Sequence, residues 1–423
     1  MNIMAPRGTN DLLPPLSLHW QYVENIARQV FANYNYQEIR TPIFEYTELF
    51  QRGIGEVTDI VEKEMYTFTD KSGRSITLRP ENTASVVRSF LENKIYGQPQ
   101  PNKYFYLGPM FRYERPQAGR FRQFYQLGIE ALGSNDPAID AEVINLGLNL
   151  LKELGLTGLE VYINSIGCPD CRAEYIKVLQ EYLMSRKGEL CSDCQNRLNK
   201  NPLRVLDCKD KSCAGLLQTA PKIIDYLCID CQDHFEKVKE YLTVVKVDFI
   251  VEPMLVRGLD YYTHTAFEIK YNKLGAQDTI FAGGRYNGLA EEIGGRSIPG
   301  VGFALGLERL MLTIAEQGIS LPVEEGIDLF IASIGEDAKK AAFTYVHSLR
   351  DAGFRAEIDY LARSVKSQLK TADRFKARFT IVLGEDELKK GTARIKNMET
   401  GEQAEICLTE LVEKMAEKAE KRG

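Results

Sequence analysis

The chain has 423 residues, of which 44% are hydrophobic and 26% charged, so it can form two or three domains around a large core. No apolar run approaches a membrane span, and the N-terminus lacks the segments of a signal peptide, which predicts a cytoplasmic protein without a membrane attachment. The net charge of -6 argues against a simple nucleic-acid coat protein. It is compatible with an enzyme that docks RNA through a local basic tract.

The chain begins with a predicted helix and a predicted strand. Apolar residues recur at helical spacing over 17–34, which indicates an amphipathic helix. The run EIRTPIFEY, residues 38–46, has the composition of a strand. Its Pro42 favours an edge or interface position, because proline cannot donate a hydrogen bond to a neighbouring strand.

A short strand over 75–81 leads into a second helix, which Asn82 or Thr83 would cap. A long hairpin follows from Lys103 to Leu132. The end of this first part is predicted as a helix and one further strand, at about 141–154 and 158–165.

Composition then divides the chain into four predicted segments. Residues 1–166 form the first part of a discontinuous domain, and 167–243 form a mostly helical insertion with eight of the nine cysteines. The strand pattern resumes over 244–318, the second part of that domain. From 327 to 423 strands alternate with helices, which predicts a compact α/β domain with a partly parallel sheet.

The hairpin carries polar side chains where a buried strand would carry apolar ones. On a period of two, Arg112, Phe124, Gln126 and Glu130 share one surface. An arginine can grip a phosphate there and a phenylalanine can lie on a purine. The amide and the carboxylate can accept hydrogen bonds from a small N–H-rich group. The alternative is a solvated face with cross-strand salt bridges.

A second run, LVRGLDYYTHTAFEI from Leu255 to Ile269, alternates in the same way. It presents Arg257, Tyr261 and Tyr262 at strand positions that would ordinarily be apolar. Unpaired burial of such groups costs several kcal/mol each, so a polar ligand is indicated. An aromatic-rich core strand is the alternative interpretation.

A third run, GVGFALGLERLML, places glycines before a strongly apolar helix. Arg309 is a cation on this mostly buried helix and therefore needs an anion. A glycine-rich approach to a helix is weak evidence of a phosphate site by itself. A buried ion pair with a local acid such as Glu308 is the alternative.

Eight cysteines of the insertion form four closely spaced pairs. In a reducing compartment this pattern predicts structural Zn²⁺ held by thiolates, at one site or at two. Reduced, packed thiols are the alternative, because cysteine is a small residue that buries well. The pairs are Cys168 and Cys171, Cys191 and Cys194, Cys208 and Cys213, and Cys228 and Cys231.

Taken together, the motifs resemble class II aminoacyl-tRNA synthetases, and specifically the bacterial-type histidyl-tRNA synthetase family. FRYERPQAGRFRQFYQ is similar to motif 2, GVGFALGLERL to motif 3, and the segment through Pro42 to motif 1, the dimer element. LVRGLDYYTHTAFEI and AGGRYNGL imply specificity for histidine. The resemblance covers nearly the whole chain, with a small departure at Ala266, where a valine is usual.

This resemblance implies an α+β catalytic domain with an antiparallel sheet flanked by helices, a helical insertion and a C-terminal α/β anticodon-binding domain. It implies activation of L-histidine with ATP and Mg²⁺ to histidyl-adenylate, and transfer to the 3′ end of tRNA(His) with release of AMP and pyrophosphate. It also implies a cytoplasmic homodimer that forms through the N-terminal catalytic domain.

The resemblance further implies roles for individual residues. Arg112 and Arg257 would be catalytic, because preorganised cations stabilise charge that grows on phosphoryl oxygens. The implied histidine-binding residues are Glu81, Asn82, Thr83, Gln126, Glu130, Arg257, Tyr261 and Tyr262. The implied ATP-binding residues are Arg112, Glu114, Arg120, Phe124 and Arg309.

A basic tract in the last segment could follow an RNA backbone, although charge alone favours a solvated helix face. Its members are Arg363, Lys366, Lys370, Arg374, Lys376 and Arg378.

Two rival functions are disfavoured by the sequence. A non-catalytic paralogue, such as the synthetase-like subunit of ATP phosphoribosyltransferase, would lack the C-terminal domain and the motif arginines, whereas Arg257 and Arg285 are both present. A class II synthetase for another amino acid is disfavoured by Glu130 together with the RGLDYY run.

Overall fold

A computed structural model describes residues 3–420 except 56, 57, 59, 118 and 209. The chain forms two compact units, Met1–Leu321 and Pro322–Gly423. Ala118, in the predicted hairpin turn, and residues 421–423, at the end of the last predicted segment, lie outside the described residues. Among the described helices, none has both the length and the apolar character needed to cross a membrane.

The helices of the described residues are α1 (Leu16–Asn33), α2 (Thr47–Ile54), α3 (Thr83–Glu92), α4 (Pro137–Glu153), α5 (Pro169–Ser185), α6 (Ser192–Lys200), α7 (Lys211–Gln218), α8 (Ile229–Val244), α9 (Leu289–Glu292), α10 (Leu307–Glu316), α11 (Glu336–Asp351), α12 (Val365–Arg374), α13 (Glu385–Lys390) and α14 (Leu411–Glu420). The strands are β1 (Gln37–Glu38), β2 (Phe44–Tyr46), β3 (Tyr66–Thr69), β4 (Ser75–Leu78), β5 (Asn102–Phe111), β6 (Gln123–Leu132), β7 (Glu160–Ser165), β8 (Ile250–Val251), β9 (Thr263–Lys270), β10 (Thr279–Arg285), β11 (Gly300–Gly306), β12 (Leu329–Ser333), β13 (Ala356–Ile358), β14 (Phe379–Leu383), β15 (Thr392–Asn397) and β16 (Gln403–Cys407).

The first unit is built on an eight-stranded sheet in the order β1-β5-β6-β11-β10-β9-β7-β8. The six central strands are antiparallel, and only the two edge pairs are parallel. Helix α4 packs on this sheet and Gly147 permits the approach, because a Cβ there would lie 2.3 Å from the Phe281 ring. The predicted antiparallel sheet flanked by helices is confirmed.

The predicted strand through Pro42 is wrong in its middle. The chain forms β1, which pairs with β5, and β2, which joins a separate three-stranded sheet in the order β2-β4-β3. Between them the backbone leaves one sheet for the other. Its carbonyls bond to a side chain instead of a strand: the Arg79 guanidinium donates to the oxygens of Thr41 (3.2 Å) and Pro42 (3.4 Å).

The predicted strand from Leu255 to Ile269 is also only half correct, because β9 begins at Thr263. Residues 255–262 form a loop whose carbonyls accept hydrogen bonds from side chains. Asn164 donates to the carbonyl of Leu255 at 3.0 Å, and Arg172 donates to that of Tyr262 at 2.8 Å. Side-chain donors thus replace a neighbouring strand along this stretch.

The helices α5 to α8 make up most of the predicted insertion, and they bury an apolar face within the first unit. The second unit contains a five-stranded sheet in the order β13-β12-β14-β15-β16. Its first three strands are parallel and its last two antiparallel, with helices such as α11 packed against them. The predicted α/β architecture with a partly parallel sheet is therefore confirmed.

Candidate active site

A cavity of about 490 Å³ lies in the first unit, and strands β6, β9, β10 and β11 supply much of its lining. The start of α10 and the loop before β9 complete much of the rest. Twelve of the thirteen side chains predicted to bind histidine or ATP line it: Glu81, Thr83, Arg112, Glu114, Arg120, Phe124, Gln126, Glu130, Arg257, Tyr261, Tyr262 and Arg309.

The hairpin forms one wall of the cavity. The register pairs Gly108 with Gln126 and Met110 with Phe124, so alternate residues of β6 point to one surface. Arg112, just beyond β5, reaches the same surface, with its guanidinium carbon 5.3 Å from the Phe124 ring centroid. The shared surface predicted from the period of two is confirmed. Among the described residues, the buried Oε1 of Gln126 has no hydrogen-bond partner, so it can accept one from a ligand.

Glu130 lies fully buried at the end of this wall. Its carboxylate accepts hydrogen bonds from the hydroxyls of Thr83, at 2.6 Å, and Tyr286. A Cβ on Gly302 would come within 2.1 Å of the same carboxylate, so only glycine fits opposite it. Burial raises the pKa of Glu130 to about 8, because the two hydroxyls only partly replace the lost water.

At the start of α3, Glu81 takes the capping role that the sequence assigned to Asn82 or Thr83. The Glu81 carboxylate accepts from the backbone N–H groups of Thr83 (2.7 Å) and Ala84 (3.0 Å), so Glu81 caps the helix. Burial nevertheless raises the pKa of Glu81 above its ordinary value. Asn82 does not line the cavity; its Oδ1 accepts from the Thr41 hydroxyl at 2.7 Å.

The loop before β9 forms the opposite wall. Arg257 donates to the carboxylate of Glu268 on β9, and its guanidinium carbon lies 5.8 Å from the Tyr262 ring centroid. The rings of Tyr261 and Tyr262 are 4.7 Å apart. Lys270 also contacts Glu268, at 3.4 Å. This wall thus places a partly buried cation beside two phenol rings.

A second cationic region lies towards α10. Arg309 donates to the carbonyl oxygen of Thr279 at 2.6 Å, and Arg120 lies 3.4 Å from the Glu114 carboxylate. The carboxylate of Glu308 accepts from the backbone N–H of Tyr125 at 2.9 Å. With Arg112 and Arg257, four arginines from three motifs therefore line one cavity. Such a set favours an anionic ligand with several charged groups.

Several polar residues of the lining were missed by the sequence reasoning, four of which are informative. Glu268 follows the period of two in β9, and Tyr286 lies in the AGGRYNGL run, so both carried a signal that could have been used. Arg204 and Asp207 come from the insertion, and no motif indicated them. Arg204 donates to the carbonyl oxygen of Gly258 in the opposite wall, at 3.2 Å.

The eight insertion cysteines lie away from this lining, in two groups of four. Within each group, the sulfur atoms all lie within 4.8 Å of one another. We call them the first thiol cluster (Cys168, Cys171, Cys228 and Cys231) and the second thiol cluster (Cys191, Cys194, Cys208 and Cys213).

Known proteins resemble the chain along nearly its whole length. A family model described as histidyl-tRNA synthetase matches residues 8–310, and one described as anticodon binding domain matches residues 328–418. The chain is 67% identical to the histidine–tRNA ligase of Halothermothrix orenii, over 98% of this chain and 99% of that one. It is 55% identical to that of Desulforamulus reducens, over 96% and 97%. The crystal structure of apo S. aureus histidyl-tRNA synthetase matches with a TM-score of 0.84 at 45% identity, covering 98% of this chain and 100% of that one.

Proposed function

The chain belongs to the histidyl-tRNA synthetase family, and we propose that it activates histidine with ATP and transfers it to tRNA(His). One observation carries this proposal: four motif arginines and a set of buried acceptors line a single cavity. The arginines suit the phosphates and carboxylates of the reactants, and the acceptors suit an amino group and an imidazole.

For histidine, we propose that Glu130 and Tyr262 bind the imidazole and that Tyr261 shapes the pocket. The α-amino group would donate to Gln126, whose Oε1 is buried without a partner in the described part of the chain, and to Glu81. Such a pocket rejects apolar amino acids of similar shape, because its own buried polar groups would lose their partners. The resemblance assigned Asn82 to this set as well. We propose that it acts indirectly, by holding the start of α3 through its hydrogen bond with Thr41.

For ATP, Arg112 would bind the α-phosphate and the activated carboxyl group, and Phe124 would stack on adenine. Arg120 and Arg309 would bind the outer phosphates, because they line the part of the cavity nearest α10. The Mg²⁺ that accompanies ATP fits the donor set, since such ions bind through one or two carboxylates together with substrate phosphates. Glu114, Glu268 and Asp278 line the cavity and would supply these carboxylates.

The first step would be in-line attack of the histidine carboxylate oxygen on the α-phosphorus. A bond forms from that oxygen to phosphorus, and the bond to pyrophosphate breaks. Two anions approach each other, so Arg112 and Arg257 would lower the barrier by neutralising both. In the second step the 3′-terminal hydroxyl of the tRNA attacks the carbonyl carbon, the bond from that carbon to the phosphate oxygen breaks, and AMP leaves with the hydroxyl proton on its phosphate. Positioning supplies the remaining acceleration, and neither step needs a nucleophilic side chain.

For tRNA, the second unit offers a basic strip on α12. Lys366, Lys370 and Arg374 are exposed at a spacing of four residues, so they share one face of the helix. The other members of the predicted tract are engaged locally: Arg363 pairs with Asp359 and Lys376 with Glu325. We propose that the strip contacts anticodon-region phosphates, in the cytoplasm, where the tRNA is used.

We also propose a homodimer that forms through the small sheet β2-β4-β3. Ile43, Phe44, Tyr46 and Phe68 are between 44% and 56% exposed on or beside this sheet, and such patches commonly mark interfaces. Sedimentation should give twice the chain mass, and Phe44→Arg should shift the equilibrium towards the monomer. A wild-type protein that sediments as a monomer would remove this part of the proposal.

The decisive test of function is exchange of pyrophosphate into ATP, measured with histidine and with each other amino acid. Exchange with histidine alone, followed by acylation of a tRNA(His) transcript, is expected. Histidine binding without exchange would favour a regulatory paralogue, and exchange with another amino acid would favour a different synthetase. Either result contradicts the proposal.

A further inference from the structure

The geometry points to two zinc ions, one in each thiol cluster, which together hold the histidine loop (residues 257–262) in its working position. The metal sites are independent of the proposed function. The effect on the histidine loop rests on it, because that loop carries Arg257, Tyr261 and Tyr262.

The sulfur spacing in both clusters suits one central metal ion. Zinc–sulfur bonds of about 2.3 Å in a tetrahedron place the sulfurs about 3.8 Å apart. In the first cluster, Cys171 lies 3.5 Å from Cys168 and 3.9 Å from Cys231; in the second, Cys191 lies 3.8 Å from Cys208. The cysteines are free rather than disulfide-bonded. Four thiolates at this spacing are the donor set of a closed structural zinc site.

The backbone around the first cluster is arranged for thiolates. The N–H of Cys168 donates to the sulfur of Cys231 at 3.3 Å, and reciprocally the N–H of Cys228 donates to Cys171 at 3.0 Å. Cys168 and Cys228 are the N-cap residues of α5 and α8. Both N–H donation and a helix N-terminus favour a negatively charged sulfur.

The second cluster repeats this arrangement. Cys191 is the N-cap residue of α6, and its N–H donates to the sulfur of Cys213 at 3.3 Å. The N–H of Asp210, the N-cap residue of α7, donates to Cys208 at 3.4 Å. Two separate clusters with the same N–H pattern are hard to explain by packing of neutral thiols alone, because apolar packing does not require thiolate acceptors.

The first cluster contacts the histidine loop through the residue next to Cys171. Arg172 donates to the carbonyl oxygens of Tyr262, at 2.8 Å, and Asp260, at 3.3 Å. A metal ion that fixes the first turn of α5 would therefore also fix this guanidinium against the loop.

The second cluster contacts the same loop from another element. Its cysteines flank the segment 195–207, in which Asn201 donates to the Asp260 carboxylate at 2.8 Å. From the same segment Arg204 donates to the carbonyl oxygen of Gly258 at 3.2 Å, and Asp207, which precedes Cys208, lines the cavity. Both clusters thus converge on one loop, which explains why an active-site loop without strand pairing can keep a defined shape.

The metal content tests the sites directly. Protein purified under reducing conditions should contain about two zinc ions per chain, measured by inductively coupled plasma mass spectrometry. Both ions should be released when a mercurial reagent titrates the thiols. Cys171→Ser and Cys194→Ser should each retain about one, while Cys407→Ser, in the second unit, should retain two. A wild-type content near one or near zero, or iron with acid-labile sulfide, would overturn the proposal.

Kinetics test the effect on the loop. Asn201→Ala should keep both zinc ions but raise KM for histidine by about 3- to 10-fold, the loss of one hydrogen bond. KM for ATP should not change, because Arg112, Arg120 and Phe124 lie on other elements. Cys194→Ser should shift KM in the same direction. Unchanged KM for histidine in Asn201→Ala would overturn the positioning role even with two zinc ions bound, and this variant remains informative if the cysteine variants fail to fold.

Discussion

Asp140 and Glu130 are both carboxylates that are completely buried in the first unit, yet their surroundings are opposite. Asp140, on α4, accepts from the Arg285 guanidinium at 3.1 Å and lies 3.6 Å from His234. Burial alone would raise the pKa of Asp140, but Arg285 and His234 lower it to about 2. Among the described residues the donors to Glu130 are hydroxyls, and its pKa rises to about 8.

The two carboxylates differ because Asp140 has its charged partner within the protein, whereas Glu130 does not have one in the part of the chain that the structure describes. Asp140 and Arg285 satisfy each other, and Arg285 donates further to the carbonyl oxygen of Ser134 at 2.7 Å. Within the described ranges no cation pairs with Glu130, which faces the cavity, so a ligand with N–H donors would supply the missing partner. The two sites are linked along the chain, because Arg285 is followed directly by Tyr286, which donates to Glu130.

The largest effect is expected on the completed pair. Asp140→Asn leaves a fully buried guanidinium without its counter-charge, which should lower the free energy of unfolding by about 3–5 kcal/mol. Denaturant titration at neutral pH measures this. The matched control is Glu385→Gln, which breaks an exposed pair with Lys389 and should cost less than about 1 kcal/mol. Equal losses in the two variants would show that Asp140 is not a structural anchor.

Arg257 is an intermediate case, since it is paired with Glu268 but lines the cavity. Arg257→Ala should reduce kcat by about 10²–10³-fold, the range for losing one preorganised donor to developing charge. KM for histidine should change less, because the imidazole is read by other residues. Pyrophosphate exchange measures both, with the exposed Arg394→Ala, in the second unit, as a control. Unchanged turnover would remove the catalytic role of Arg257.

Glu130→Gln should affect activity rather than stability, the opposite of what is expected for Asp140→Asn. It keeps the shape of the side chain and an acceptor for Thr83, but it cannot ionise when the imidazole binds, so kcat/KM for histidine should fall about 10–100-fold. The free energy of unfolding should not fall. If Glu130→Gln instead destabilises the protein as strongly as Asp140→Asn, the two carboxylates have the same structural role and the comparison fails.

The sequence could predict the hairpin wall because a period of two leaves little freedom: Phe124, Gln126 and Glu130 must share a face. It could not predict that residues 255–262 leave the sheet, because their carbonyls are bound by Asn164 and Arg172, which are distant in sequence. The grouping of the cysteines into two clusters was open for the same reason, since spacing does not determine which pairs meet in space.

Asn82 shows a different kind of error. Its position before α3 and its residue type favoured a capping role, and the resemblance implied a binding role, yet Glu81 provides the cap while Asn82 bonds to Thr41. A neighbour supplied through the tertiary fold decided between two adjacent polar residues, and local sequence carries no information about that neighbour.

The smallest effect concerns pH. The folded protein keeps Glu130 protonated up to about pH 8, whereas the unfolded chain ionises it near its ordinary value of 4.5. The folded state therefore binds more protons between these values, and stability from this group falls as the pH rises from about 4.5 to about 8.

Glu130→Gln removes this dependence, so the Tm of the variant relative to that of wild type should rise by a few degrees between pH 5 and pH 8.5. Asp140→Asn should show no such gain over that range, because the pKa of Asp140 already lies below it in both states. A constant Tm difference between Glu130→Gln and wild type would mean that Glu130 is ionised in the empty cavity and already has its cation.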